Sequence, residues 1–126
     1  MNTEFKPLSL EEQLHRLDES VALSRVGGDV ELLREVVGLF LDDYPQSLDL
    51  IRQAVAQGDQ CSLERHAHSL KGSVSTFGAQ EAFDAAQALE KQGRTGDLSH
   101  AQDGLATLEQ ALINLRPELE ALRTKE

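Results

Sequence analysis

His68, Lys71 and Gly72 put a nitrogen nucleophile, a cation and a missing side chain within five positions of one another. Imidazole is mostly neutral at pH 7 and offers a ring-nitrogen lone pair with no second base required. A phosphoryl group taken onto that nitrogen is labile, so it can pass on to a carboxylate. Lys71, one helical turn further on, is near enough to bias an anionic group without bonding to the ring. Gly72 costs about 1 kcal/mol in a helix interior relative to alanine, and the surrounding apolar pattern has no use for it. What it supplies is clearance, because a large side chain there would hold a partner protein away from His68.

These roles depend on which way the residues face. Leu63, Ala67, Leu70, Val74 and Phe77 recur at steps of four, three, four and three, one narrow stripe on a helix of about 100° per residue. His68 lies roughly 140° from the stripe's centre, out towards solvent. Lys71 and Gly72 flank it on that outer side, with Glu64 and Ser75 nearby as candidate partner contacts. His66 falls roughly 60° from the stripe on the other flank, at the edge of a core.

A solitary surface histidine is usually only solvated, so the competing chemistries have to be weighed. Metal binding is disfavoured: His66 and His68 are two residues apart and point to different sides, whereas helical pairs chelate at i and i+4. His15 and His100 have no partner at ligand spacing. Cys61 reads as a small buried apolar residue. No Ser/His/Asp arrangement, P-loop or nucleotide-binding glycine pattern is present, so the chain is expected to be a carrier and not an enzyme.

Composition narrows the partners. The 126 residues carry a net charge of −10, which argues against nucleic acid or anionic lipid. No apolar run approaches the 18 or so residues of a membrane span, and no signal-peptide pattern opens the chain. A single cysteine cannot form an internal disulfide, which fits a reducing cytoplasm. Residues 1–62 hold 12 acidic and 5 basic side chains, residues 84–126 hold 8 and 5, and residues 63–83 hold two of each. The stretch around His68 is thus locally neutral, and a phosphoryl group is less disfavoured there than in a dense acidic field.

The elements that must position this stretch follow from the apolar periodicity. Residues 1–8 read as a loose tail, and Ser9 with Glu12 forms a capping box for a short helix. A second short helix runs over about Glu19–Val26. Gly28-Asp29, Gly58-Asp59 and Gly96-Asp97 each suit a helix end followed by an N-cap. The pattern predicts one long helix over 29–57, in unbroken phase across Pro45 and kinked near it, with two helices as the alternative. Further helices are predicted over 60–77, where Gly78 ends the helix, over 79–92, before a Gly93–Gly96 turn, and over 97–122. The last carries a leucine seam in heptad steps from Leu98 to Leu122, with Pro117 kinking its final turns. Four stripes that bury one another make an all-α, antiparallel up-down-up-down four-helix bundle, with one or two short N-terminal helices covering one end. The seam could instead serve a helical interaction module by dimerising, but four stripes already suffice to cover one another, so a monomeric single domain over 1–126 is expected.

Ala67-His68-Ser69-Leu70-Lys71-Gly72, followed by Phe77-Gly78-Ala79 and Leu89-Glu90, resembles the histidine-containing phosphotransfer (HPt) domain of multistep two-component phosphorelays. Arg25-Val26-Gly27-Gly28-Asp29 and Leu39-Phe40 fit the same pattern, so the resemblance spans nearly the whole chain. It implies a phosphoryl group carried on His68, through Nε2, with Lys71 and Gly72 beside it. Donor and acceptor would be aspartates of response-regulator receiver domains, including that of a hybrid sensor histidine kinase. No cofactor would be bound by this chain, and the Mg²⁺ would belong to the receiver. Ala82 departs from the larger aliphatic residue usual in that family. A phosphoacceptor domain of chemotaxis-type histidine kinases, fed by ATP on a separate kinase domain, is the alternative.

Overall fold

The computed structural model describes residues 17–124, and every regular element among them is an α-helix. In chain order these are α1 (Glu19–Arg25), α2 (Val30–Gln57), α3 (Gln60–Ser75), α4 (Gln80–Thr95) and α5 (Ala101–Thr124). The tail at 1–8 and the capping box at Ser9 lie outside the described residues.

Local chemistry sets the helix starts. Asp18, Asp29 and Asp59 are the N-caps of α1, α2 and α3, and each side chain accepts a backbone N–H three residues on, from Val21, Leu32 and Ser62. Each cap satisfies a donor that the helix itself cannot. Asp97 differs, because its carboxylate accepts from Ser99 N and Oγ within a turn, and α5 begins only at Ala101. The third Gly-Asp pair therefore closes α4 without opening α5, and the fourth bundle helix starts later and ends later than 97–122.

The long helix α2 is a single element of 28 residues with Pro45 inside it. Its buried face of Leu33, Val37, Phe40, Tyr44, Leu48 and Ile51 keeps the predicted phase, and this continuous packing outweighs the hydrogen bond that proline removes. Phe40 lies at the centre of an aromatic group, stacked on Tyr44 at 5.2 Å and edge-on to Phe77 at 5.3 Å.

Around the bundle α2 packs on α3, α3 on α4, α4 on α5 and α5 on α2, and α3–α4 is the most extensive of these interfaces. The leucine seam from Leu105 to Leu122 is buried within this ring, so it serves as the bundle's fourth wall. α1 packs lightly on α2 and caps one end, where Asp18 N donates to Phe77 O at 2.9 Å.

Two boundaries around α3 and α4 differ from the sequence reading. α3 stops at Ser75, and Thr76–Gly78 form a turn in which Gly78 has φ +62°. A side chain on Gly78 would also sit 2.7 Å from Asp18 Cβ, so glycine is required there twice over. More consequentially, α4 does not end at Gln92. It continues through Gly93 to Thr95, and Gly93 is buried. A Cβ on Gly93 would stand 2.6 Å from Glu64 N and 2.9 Å from Gln60 O, both backbone atoms of α3. The glycine is the contact point at which the two helices meet backbone to backbone. A pair of glycines at 93 and 96 reads as a loop in one dimension, but only the second, with φ +80°, ends the helix.

Candidate functional site

The close α3–α4 crossing determines what surrounds His68. Its side chain is 67% exposed on α3, and its Nδ1 lies 2.8 Å from Glu90 Oε2 on α4. Glu90 is only 4% exposed, the one buried charged residue among those described. Its other oxygen, Oε1, accepts from Lys71 Nζ at 2.7 Å, and Arg94 Nη2 donates to Oε2 at 3.0 Å. Arg94 in turn reaches back across the crossing to Glu64 Oε2 at 3.2 Å. A buried carboxylate is tolerated only when paired and hydrogen-bonded, and three donors do that here.

This arrangement fixes the tautomer. An ionised carboxylate only accepts hydrogen bonds, so the hydrogen facing Glu90 must be on Nδ1. In the neutral ring Nε2 then holds the lone pair, on the edge turned away from the protein.

Glu90 also titrates abnormally. The hydrogen bond from Lys71 holds its carboxyl below the usual glutamate value of 4.5; burial opposes this and the hydrogen bond from His68 adds to it. A depressed folded-state pKa contributes stability that is fully present above 4.5 and lost as pH falls through the lower folded value. Glu90→Gln removes this linkage. Urea denaturation at about pH 6 and about pH 3 is expected to show a smaller acid-induced fall in midpoint for Glu90→Gln than for wild type. Equal falls would mean that the carboxylate is not preferentially ionised in the fold.

The other predicted residues fall as follows. Lys71 is not free in solvent: its side chain is 20% exposed, bonded to Glu90 and 5.8 Å from the Phe83 ring centre. Gly72 is exposed, with nothing within 4 Å of where a Cβ would be. Glu64 is engaged by Arg94, while Ser75 Oγ donates to Gly72 O at 2.9 Å and Ser75 O receives Arg25 Nη1 at 3.4 Å. His66 is half-buried, as its phase requires, and is not among the partners of Glu90, which are His68, Lys71 and Arg94. Cys61 is exposed, contrary to expectation. It lies at i−7 from His68, two turns back along the same outer ridge, where it contributes nothing to the core. Ala82 is buried with Phe83 half-buried beside it. Among the described residues no group of three His, Cys, Asp or Glu side chains converges to hold a metal ion, and no helix is long and apolar enough to cross a membrane.

Arg94 is a site residue that the sequence reading did not single out, and Glu90 entered it only as part of the family resemblance, with no role assigned. A signal was present: Glu90 follows Ala86 by four and Ala82 by eight, which places a carboxylate at the edge of the inward stripe of α4 with Arg94 one turn beyond.

Comparison with known proteins points one way. The Hpt domain family model matches residues 35–123. The crystal structure of histidine-containing phosphotransfer protein B (HptB) from Pseudomonas aeruginosa PAO1 is similar with a TM-score of 0.82 and 25% identity, covering 89% of this chain and 97% of that one. The HPT domain of the Hpt sensor hybrid histidine kinase from Shewanella shares the fold, with a TM-score of 0.78 at 19% identity over 90% of this chain and 97% of that one. No curated protein matches the chain.

Proposed function

Since the chain belongs to the Hpt domain family, and so is a phosphocarrier that works in phosphorelays with receiver domains and hybrid kinases, we propose that His68 is the residue that carries the phosphoryl group. The observation that carries this reading is the Glu90–Nδ1 hydrogen bond, which leaves the Nε2 lone pair pointing outward. Nε2 attacks the phosphorus of a receiver aspartyl phosphate. The N–P bond forms as the P–O bond breaks, and the aspartate carboxylate leaves with the electron pair. The ring now bears a positive charge with its hydrogen still on Nδ1, and Glu90 accepts from it. The reverse step delivers the group to a second aspartate, so Glu90 holds the ring in one orientation in both directions.

Lys71 steadies the phosphoryl group from beside the ring while anchoring Glu90 beneath it. Gly72 leaves room for the receiver, with Glu64 and Ser75 at the rim of the contact. The chain supplies no kinase machinery or cofactor of its own, and the Mg²⁺ belongs to the receiver. It acts as a monomer in the cytoplasm, and the encounter with the receiver is transient.

The test is transfer of label from a phosphorylated receiver, with the acid-labile phosphate mapped to a peptide. Label on His68 supports the assignment, and label on His66 or on no histidine refutes it. The clearance role has its own check. Gly72→Gln places a side chain in open space and replaces a poor helix former, so its Tm is expected to equal or exceed that of wild type. Transfer from the receiver is expected to fall about tenfold or more, the effect of about 1.4 kcal/mol of lost contact. An unchanged rate would remove Gly72 from the docking face.

A further inference from the structure

Lys71 and Arg94, two cations near His68, are both committed to Glu90. With Glu64 engaged by Arg94, these four side chains form a neutral set of two acids and two bases. An incoming phosphoryl group adds about two negative charges, and its oxygens lie outward on Nε2, on the far edge of the ring from Glu90. Arg65 is the cation left over. It is exposed on α3 one turn before His68; its charge acts on Asp59 at the N-cap of α3, but among the described residues no hydrogen bond or close ion pair holds its guanidinium. An open hollow beside the histidine is lined by Cys61, Glu64, Arg65, His68, Ser69 and Glu90, so Arg65 and His68 face the same space. Residues three apart on a helix have Cβ atoms about 5–6 Å apart, and a flexible guanidinium spans that distance with length to spare.

We infer that Arg65 is a phosphoryl-contacting residue: its guanidinium closes, from the hollow that it shares with His68, on the oxygens of the group carried by Nε2. This rests on His68 being the carrier. Glu90 then holds the ring's proton, while Arg65 joins Lys71 in balancing the transferred charge. The planar fork of arginine suits two phosphoryl oxygens at once, and among the described residues no hydrogen bond has to be broken for it to turn to the group.

The experiment uses phosphoramidate, a small donor that needs no protein docking. Nε2 attacks its phosphorus, the N–P bond to the ring forms, and the original P–N bond breaks as ammonia departs with the electron pair. Rates are measured for wild type, Arg65→Lys and Arg65→Ala, with the label mapped by mass spectrometry and the Arg65 Nε–H resonance followed by NMR. Arg65→Ala is expected to take up phosphate about fivefold more slowly and Arg65→Lys about twofold. The Arg65 Nε–H is expected to shift and gain protection from exchange once His68 is phosphorylated, which a purely structural role would not produce. Label on His68 at wild-type rates in Arg65→Ala, with the resonance unmoved, overturns this inference and leaves the carrier assignment intact. No label on His68 in wild type overturns both.

Discussion

His68→Gln is expected to fold as wild type and to take up no acid-labile phosphate from a phosphorylated receiver. The two halves of this result have separate causes. The side chain is 67% exposed, so its replacement removes little packing, and exposed substitutions usually change stability by no more than about 0.5 kcal/mol. Glutamine's NH₂ can also donate to Glu90 Oε2 where Nδ1–H did, so the buried carboxylate keeps a donor on that side as well as Lys71 and Arg94. What is lost is the outward lone pair: an amide nitrogen is delocalised into its carbonyl and does not act as a nucleophile. Circular dichroism melting together with label transfer reads both halves. A variant that melts with wild type yet still accepts label would move the chemistry to another residue.

The second large effect is on stability. Gly93→Ala is expected to lower the Tm by about 10 °C, corresponding to a net loss of about 2 kcal/mol. Alanine is intrinsically the better helix former by about 1 kcal/mol, so propensity alone predicts the opposite sign. The added Cβ would meet Glu64 N at 2.6 Å and Gln60 O at 2.9 Å, and backbone atoms cannot rotate aside as a side-chain tip can. α3 and α4 must separate, which costs more than propensity returns. Because Glu90 lies one turn before Gly93 on α4, the same separation pulls the carboxylate away from His68 Nδ1 and slows transfer as well. Gly72→Ala is the control, since its Cβ meets nothing within 4 Å. A Gly93→Ala protein as stable as wild type would show that the crossing has slack.

The contrast between these glycines shows where the sequence is legible. Apolar phase is a property of a single helix, so Leu63, Ala67, Leu70 and Val74 could be assigned to the core, and His68 to the outside, from spacing alone. The unbroken phase across Pro45 likewise reported one helix. Gly93 and Glu90 are different in kind. Their environments are made by α3, 30 residues away in the case of the Arg94–Glu64 pair, and no periodicity within α4 encodes how close its neighbour comes. Gly93 therefore reads as a turn residue, and Glu90 matches the family pattern without its partners being legible. Cys61 failed for another reason: the residue type is usually buried, but the phase of α3 put it on His68's ridge, and phase prevailed. Lys71 was correctly placed beside the histidine, yet its amine turns inward because a buried carboxylate attracts it more strongly than water does.

All of the residues given a part in the chemistry, from Glu64 and Arg65 to Glu90 and Arg94, lie within the α3–α4 hairpin, Gln60 to Thr95. α2 and α5 contribute walls and no reacting groups. The transfer apparatus is thus a portable cassette: transplanted with its backbone crossing intact onto another pair of supporting helices, it carries its own nucleophile, proton holder and charge balance.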